Sequence, residues 1–325
     1  MAVLGIESSA HTLGVGVVEG GRVLSNEKSM YHMGPGGIIP AKAADLHADN
    51  VGPLVSAALK RAHISVRDIS AIGYTKGPGL GPCLRVGQLA AETIAAHSGI
   101  PIIPVNHAVA HIEVTRSMFG ARDPLVLYVS GGNSQILAIT DSPFRHYHVY
   151  GETLDIGVGN MLDNFARAAD LDPAWGSSVE RLARGGRYIQ MPYTVKGMDF
   201  TFTGLMTNAS RLLGGRPSRD VAYSLQETCF SMLCEATERA LFLTRKSEIL
   251  LSGGVAQNSR LRAMLESIAQ SHGIRAHAAP NSLNADNGAM IAVVAEKYQE
   301  KGFRFPSKAR GIDQRYRIDT VEIGW

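Results

Sequence analysis

The chain has 325 residues, 45% of them hydrophobic, and a formal net charge of +3. This length and composition predict a globular protein of about two domains, and the charge is too small to identify a nucleic-acid binder by itself. The sequence contains neither a signal-peptide pattern nor an apolar run of the ~20 residues that cross a bilayer, which argues against secretion and membrane insertion. Its three cysteines, Cys83, Cys229 and Cys234, lack CxxC spacing and favour a reducing cytoplasm.

The first part of the chain predicts three strands followed by alternating helices and strands. Short apolar runs between glycines are typical of strands, whereas apolar residues three and four apart are typical of helices. The predicted strands are 2–7, 13–19, 22–28, 69–75 and 100–105, and the predicted helices are 41–62, 84–97 and one from 106.

The same order begins again near residue 124. The predicted strands are 125–130, 134–140, 145–152, 248–253 and 274–279, and the predicted helices are 160–169, 177–184, 219–245, one from 258 and one from 286. This repetition predicts a duplicated α/β fold with lobes 1–123 and 124–325, each with a central mixed sheet flanked by helices. Ligands of such sheets bind beyond the carboxyl ends of the strands, so we expect a ligand cleft between the lobes.

Three glycine-containing loops follow predicted strands: "IESSAHTLGVG" (6–16), "YVSGGNSQ" (128–135) and "LLSGGVAQN" (250–258). Loops of this kind can present backbone N–H groups to an anion, although each alone is more typical of an ordinary turn. Together they resemble the two phosphate hairpins and the adenosine loop of the actin, Hsp70 and sugar kinase superfamily, which binds ATP. None matches GxxxxGK[ST], which excludes a P-loop.

His107 and His111 lie four residues apart in a predicted helix and therefore on one face of it. The pair fits metal ligation and ordinary packing about equally well. The metallopeptidase pattern HExxH requires a glutamate where this chain has Ala108. Tyr128 and Asp286 stand at the ends of predicted elements and could complete a mixed nitrogen and oxygen set suited to iron.

Several longer strings occur together: "YTKGPGLGPCLRVG", "NHAVAHI", "YVSGGNSQ", "GETLDIGVGNMLDNFAR", "KGMDFTFTGLMT", "SGGVAQNSRLR" and "NADNGAMIA". They span nearly the whole chain, and with them it resembles the universal tRNA N6-threonylcarbamoyladenosine synthesis family. In archaea and eukaryotes this family supplies the catalytic subunit of the KEOPS complex, and "IESSAHT" is more similar to the archaeal branch.

The resemblance implies transfer of a threonylcarbamoyl group from threonylcarbamoyl-AMP to N6 of adenosine 37 in tRNAs that read ANN codons. It implies a metal, usually Fe²⁺, held by His107, His111, Tyr128 and Asp286, and ATP or threonylcarbamoyl-AMP as the bound nucleotide. The nucleotide contacts that it implies are Tyr128, Val129, Ser130, Gly131, Gly132, Asp163, Gly176, Glu180 and Asn258.

The resemblance also implies tRNA and three KEOPS subunits as partners: a small protein kinase, its regulator and a small dimerising protein. In some archaea the kinase is fused after this domain. Candidate phosphate contacts on tRNA are Lys76, Arg85, Lys196, Arg211, Arg216 and Arg219, although such residues are most often only solvated. The chain departs from the family at 39–41, where "IPA" replaces "HPR", at Leu46 in place of the first of two histidines, and at Trp175.

Three alternative functions are open. A metallopeptidase is disfavoured by Ala108. A small-molecule carbamoyltransferase or sugar kinase could share the fold. A non-enzymatic nucleotide-binding scaffold would fit the altered segment at 39–41, and it predicts ATP binding without turnover.

Overall fold

The structure is a computed structural model that describes residues 1–32 and 37–325. Two compact units make up the chain. Unit 1 contains residues 1–120, 140–147 and 285–325, and unit 2 contains residues 121–139 and 148–284. These units differ from the continuous lobes 1–123 and 124–325 expected from the sequence, because the segments 140–147 and 285–325 belong to unit 1.

The described residues form the following strands and helices. The strands are β1 Ala2–Glu7, β2 Thr12–Glu19, β3 Arg22–Met30, β4 Ile69–Gly77, β5 Ile102–Asn106, β6 Leu125–Val129, β7 Ser134–Thr140, β8 His146–Glu152, β9 Val195–Lys196, β10 Asp199–Phe200, β11 Glu248–Ser252 and β12 Arg275–Ala278. The helices are α1 Pro40–Arg61, α2 Gly81–Ser98, α3 His107–Phe119, α4 Val158–Ala168, α5 Gly176–Ala183, α6 Thr203–Leu212, α7 Ser218–Thr244, α8 Ser259–Ser271, α9 Asn281–Asn284 and α10 Gly288–Glu300.

The two large sheets have the same topology. One has the strand order β3-β2-β1-β4-β5, and the other, read in the matching direction, has the order β8-β7-β6-β11-β12. β1 pairs antiparallel with β2 and parallel with β4, as β6 does with β7 and β11. Two five-stranded mixed sheets flanked by helices therefore confirm the predicted duplicated α/β architecture.

The predicted elements agree with the observed ones to within a few residues; the short helix α9 was not predicted, and two further differences follow. The stretch before α7 was expected to be irregular, but it contains the hairpin of β9 and β10 and the helix α6. The last helix begins at Gly288 rather than at Asp286, because the side chain of Asn287 accepts a hydrogen bond from the Met290 amide and caps it. Asp286 therefore lies outside the helix.

In unit 1, α10 lies directly against the backbone of β1 and β2. A Cβ atom at Gly5 would lie 2.3 Å from the amide nitrogen of Ala292, and one at Gly16 would lie 2.3 Å from that of Ala289. Only glycine permits this approach of two backbones. The close packing brings the segment before α10, which carries Asp286, onto the sheet. The opposite face of the sheet is covered by α1 and α2, through a core that includes Leu4, Ile6, Leu13, Val15, Val17 and Ala91.

Unit 2 is built around α7, the longest helix. Its buried side chains, among them Leu225, Phe230 and Leu233, join the core formed by β6, β7 and α4. Neither α7 nor any other helix in the described part of the chain is both long and apolar enough to cross a membrane.

Candidate metal and nucleotide sites

The amino end of α3 carries the two predicted histidine ligands. The side chain of Asn106, the last residue of β5, accepts hydrogen bonds from the amides of Ala108 and Val109 and so starts the helix at His107. His111 follows one turn later. The two imidazoles lie on the same face, as predicted, with ring centroids 4.6 Å apart.

Asp286 joins the two histidines within unit 1. Its Oδ1 lies 3.1 Å from Nε2 of His111 and 3.6 Å from Nε2 of His107. One donor atom from each of the three side chains lies within 4.8 Å of the others, and both histidines are buried. Three predicted ligands therefore converge on one point. The fourth, Tyr128, is a buried residue of β6 in unit 2.

The charges of this triad favour a cation. Burial alone would lower the pKa of His107, but Glu7 and Asp286 outweigh it and raise that pKa to about 9. Burial would raise the pKa of Asp286, but hydrogen bonding to His111 and the charge of His107 hold it below its usual value. Burial lowers the pKa of His111. The carboxylates of Glu7 and Asp286, on two sides of His107, thus favour a positive charge at this position.

These residues fit a divalent metal ion. Two imidazole nitrogens and a carboxylate oxygen form a donor set that binds iron, zinc and related ions. His107 also contacts a second carboxylate through its other ring nitrogen, an arrangement common for histidine ligands. The triad could therefore hold a metal, and ligation itself stays a prediction.

The carboxylate in question belongs to Glu7, which was not among the residues predicted from the sequence. Its side chain is fully buried at the end of β1, and its Oε2 lies 3.0 Å from Nδ1 of His107. An acidic residue at the end of a buried strand, directly before a glycine-containing loop, is a sequence pattern that could have identified Glu7 as a candidate site residue. The sequence predicts the loop 6–16 as a candidate anion-binding loop, but Glu7 within it was not predicted as a site residue.

The loop 6–16 connects β1 to β2 and is anchored by hydrogen bonds. The amide of Ser9 donates to Glu7, and the carbonyl of Ser9 accepts from the Leu80 amide at 2.7 Å. Nε2 of buried His47 lies 3.0 Å from the carbonyl oxygen of Ala10. His47, noted in the sequence as part of an altered motif, thus supports this loop.

The loop 128–135 connects β6 to β7 and lies against the start of α4. The carbonyl groups of Ser130 and Gly131 accept hydrogen bonds from the amides of Gly159 and Asn160. The predicted nucleotide contacts Val129, Ser130, Gly131 and Gly132 therefore stand beside the amino end of a helix. The first amides of α4 are thus paired with the loop, and what favours an anion here is the partial positive charge of the helix amino end.

The other predicted nucleotide contacts lie in unit 2 as two hydrogen-bonded groups. Asp163 of α4 accepts a hydrogen bond of 2.7 Å from the amide of Gly176, the first residue of α5. Glu180 of α5 accepts from the amide and hydroxyl of Ser259. Asn258, one residue earlier, caps α8 with its side-chain oxygen. These contacts join α4, α5 and α8, and nucleotide binding by them stays a prediction.

The structure gives little support to peptidase chemistry at the histidine pair. Ala108 offers no base, and Glu113 is fully buried in an ion cluster, 2.9 Å from Lys297 and 3.0 Å from Arg116. The cations of this cluster outweigh the burial of Glu113 and lower its pKa. Glu113 is therefore a charge-paired residue of the packing between α3 and α10.

Solved structures similar to this chain share its fold. HypF from T. kodakarensis has a TM-score of 0.62 at 14% sequence identity, covering 95% of this chain and 49% of that one. A ROK family glucokinase from Streptomyces griseus has a TM-score of 0.50 at 14% identity, covering 91% and 99%. With the strand order above, these neighbours, one of them a sugar kinase, confirm the predicted duplicated α/β fold.

Sequence comparison identifies the family. The TsaD model, described as tRNA N6-adenosine threonylcarbamoyltransferase, matches residues 22–293. A tRNA N6-adenosine threonylcarbamoyltransferase of Thermococcus sibiricus is 46% identical over the full length of both chains. A probable bifunctional tRNA threonylcarbamoyladenosine biosynthesis protein of Thermoplasma acidophilum is also 46% identical, and this chain spans 61% of its length. The chain belongs to the tRNA N6-adenosine threonylcarbamoyltransferase family, which confirms the predicted family and enzyme class.

Proposed function

We propose that this chain transfers the threonylcarbamoyl group of threonylcarbamoyl-AMP to N6 of adenosine 37 in tRNAs that read ANN codons. The observation that carries the proposal is the convergence of buried His107, buried His111 and partly exposed Asp286 in a chain that belongs to the family. In this reaction the N6 amine attacks the carbamoyl carbonyl, and the bond from that carbon to the phosphate oxygen breaks. AMP leaves with the electron pair, and N6 loses a proton.

The proposed metal ligands are His107, His111 and Asp286, with Tyr128 as the fourth donor implied by the family resemblance. We propose Fe²⁺ because a mixed nitrogen and oxygen set suits it. When bound, the ion supplies a Lewis acid that polarises the carbonyl or holds the threonyl part in place.

The residues of unit 2 are proposed to hold the nucleotide, ATP or threonylcarbamoyl-AMP. The amides of the loop at Ser130, Gly131 and Gly132 would donate hydrogen bonds to phosphate oxygens. Asp163 and Glu180 are carboxylates and would accept hydrogen bonds from ribose hydroxyls. This arrangement would hold the leaving AMP while tRNA supplies the nucleophile.

The proposed setting is the cytoplasm, with tRNA as substrate and the KEOPS kinase, its regulator and its small dimerising subunit as partners. Support comes from the family and from the similarity to its archaeal branch. Some relatives of this chain are named as bifunctional proteins of the same modification and are longer. We propose that this chain likewise acts together with a second activity, here supplied by the partner subunits.

The proposal is tested by reconstitution with tRNA, radiolabelled threonine, bicarbonate, ATP, the adenylate-forming enzyme and KEOPS subunits. His107→Ala and Asp286→Ala should each reduce modified adenosine by about 100-fold or more, because each removes a ligand of the proposed metal. His272→Ala is a matched control, since His272 also pairs with a carboxylate, that of Glu238 at 2.6 Å. Its activity should stay within about twofold of the wild type.

The outcomes separate the alternatives. Label transferred without tRNA would indicate a small-molecule carbamoyltransferase. ATP binding without any product when all partners are present would indicate a scaffold, and cleavage of protein substrates would revive the peptidase. Full activity of both ligand variants, with unchanged circular dichroism, would show that the metal assignment is wrong.

A further inference from the structure

Three glutamates are buried among residues 1–32 and 37–325, and their surroundings differ. Glu113 pairs with the cations Arg116 and Lys297. Glu296 accepts hydrogen bonds from the amides of the turn between β2 and β3, at 2.6 and 2.8 Å. Glu7 alone of the three contacts a proposed metal ligand. A buried carboxylate needs hydrogen-bond or ionic partners that offset its loss of hydration. The partners of Glu7 therefore indicate its role.

Each oxygen of Glu7 has defined partners. Oε1 accepts a hydrogen bond of 2.6 Å from the amide of Ser9. Oε2 accepts one of 2.6 Å from the hydroxyl of Thr75 and lies 3.0 Å from Nδ1 of His107. An ionised carboxylate can only accept hydrogen bonds, so Nδ1 of His107 must carry the hydrogen. Its Nε2 is then the nitrogen left for ligation.

The geometry agrees with that tautomer. Nε2 of His107 lies 3.6 Å from Oδ1 of Asp286, on the side of the ring away from Glu7. His107 is the first residue of α3, where the helix itself constrains a side chain least. The contact with Glu7 therefore orients the ring together with the edge contact between His107 and His111.

We propose that Glu7 is a positioning residue of the metal centre. It holds His107 as the Nδ1–H tautomer with Nε2 directed to the metal, and it ties this ligand to the Ser9 amide in the loop 6–16. This inference rests on the proposed metal centre. A metal-bound histidine and a loop expected to contact phosphate are thus linked through one carboxylate.

The test is Glu7→Gln. A glutamine has the same shape but offers one acceptor and one donor end. If the glutamine oxygen faces His107, its NH₂ group faces the Ser9 amide, and two hydrogen-bond donors then lie against each other. If the NH₂ group faces His107 instead, Nδ1 of His107 must accept its hydrogen bond, and Nε2 then carries the hydrogen. We expect Co²⁺ affinity, followed by visible absorption in the full chain, to fall about 10- to 100-fold. Glu296→Gln, the matched control, should leave Co²⁺ affinity unchanged.

A second measurement does not depend on the variant. In the wild-type protein loaded with Zn²⁺, ¹⁵N NMR of the imidazoles should show His107 protonated at Nδ1 and metal-bound at Nε2. The reverse assignment would overturn the proposal. So would a Glu7→Gln protein that unfolds more easily but, while folded, binds Co²⁺ as tightly as the wild type.

The failure of this proposal can be told apart from failure of the metal centre. If His107→Ala binds Co²⁺ as well as the wild type, the metal assignment itself is wrong. If His107→Ala loses binding and Glu7→Gln does not, only the positioning role of Glu7 is wrong.

Discussion

At the scale of single residues, Asp155 shows how one distant side chain determines a local structure. Its carboxylate accepts hydrogen bonds from the amides of Phe202 and Thr203, 47 and 48 residues away, at 2.9 and 2.8 Å. These amides belong to the start of α6, which has no capping bond from its own N-cap side chain. Asp155 therefore acts as the cap of a helix in another part of the sequence.

The replacement Asp155→Ala should lower the free energy of unfolding at pH 7 by about 1 kcal/mol, the usual effect of losing a helix cap. Burial would raise the pKa of Asp155, but the amides of Phe202, Thr203 and Ile156 outweigh it and hold that pKa below its ordinary value. The stabilisation is therefore complete above about pH 4 and is lost as the pH falls through the lowered pKa. Urea unfolding of the wild type and the variant from pH 7 to pH 3 measures the difference in their free energies of unfolding. A difference that grows as the pH falls would contradict the prediction.

At the scale of elements, the position of α10 depends on glycines in the strands beneath it. Gly5 and Gly16 allow the helix backbone to touch β1 and β2, and Asp286 stands two residues before the helix. The position of a proposed metal ligand thus depends on two strand residues, Gly5 and Gly16, that have no side chain. Glycine has no side-chain group that could bind a ligand or react. The structural importance of these glycines is therefore hard to recognise from the sequence.

We expect Gly16→Ala to lower the free energy of unfolding by about 2 to 3 kcal/mol, because its Cβ would overlap the backbone of Ala289. It should also weaken metal binding, since α10 must shift. Gly52→Ala is the control: Gly52 lies inside α1 with no atom within 4 Å of an added Cβ, and alanine there should raise stability by about 0.5 to 1 kcal/mol. Equal effects of both changes on denaturant midpoints would refute this reading.

At the scale of the whole molecule, the proposed metal ligands come from parts of the chain that are far apart in sequence. His111 and Asp286 are separated by 175 residues, yet both belong to unit 1. An unfolded chain cannot present these ligands together, so a metal that they bind stabilises the folded state.

Adding metal at 100 times its dissociation constant should raise the stability of the protein by about 2.7 kcal/mol, and chelation should reverse this. Hydrogen exchange should then slow in α3 and α10 and not in α7, which lies in unit 2. Slowing confined to α7, or no change in melting temperature with metal, would contradict a site at the triad.

How much could be predicted from the sequence depended on the range of the interactions. The histidine pair was found because its spacing and its helix are local, and the duplicated sheets followed from repeated strand patterns. α6 was missed because its cap, Asp155, lies far back in the chain. Glu7 was missed because its partners Thr75 and His107 approach it only in the folded sheet. Asp286 was assigned mainly through the family resemblance, and the fold then placed it.

The composition of unit 1 from both ends of the chain has a consequence for its synthesis. The first 120 residues emerge from the ribosome well before the segment that begins at Ala285. At about 5 to 20 residues per second, translation of the intervening stretch takes roughly 10 to 30 s. During that time the surface of β1 and β2 around Gly5 and Gly16 lacks its covering helix, and the nascent protein should be most vulnerable to proteases and most dependent on chaperones.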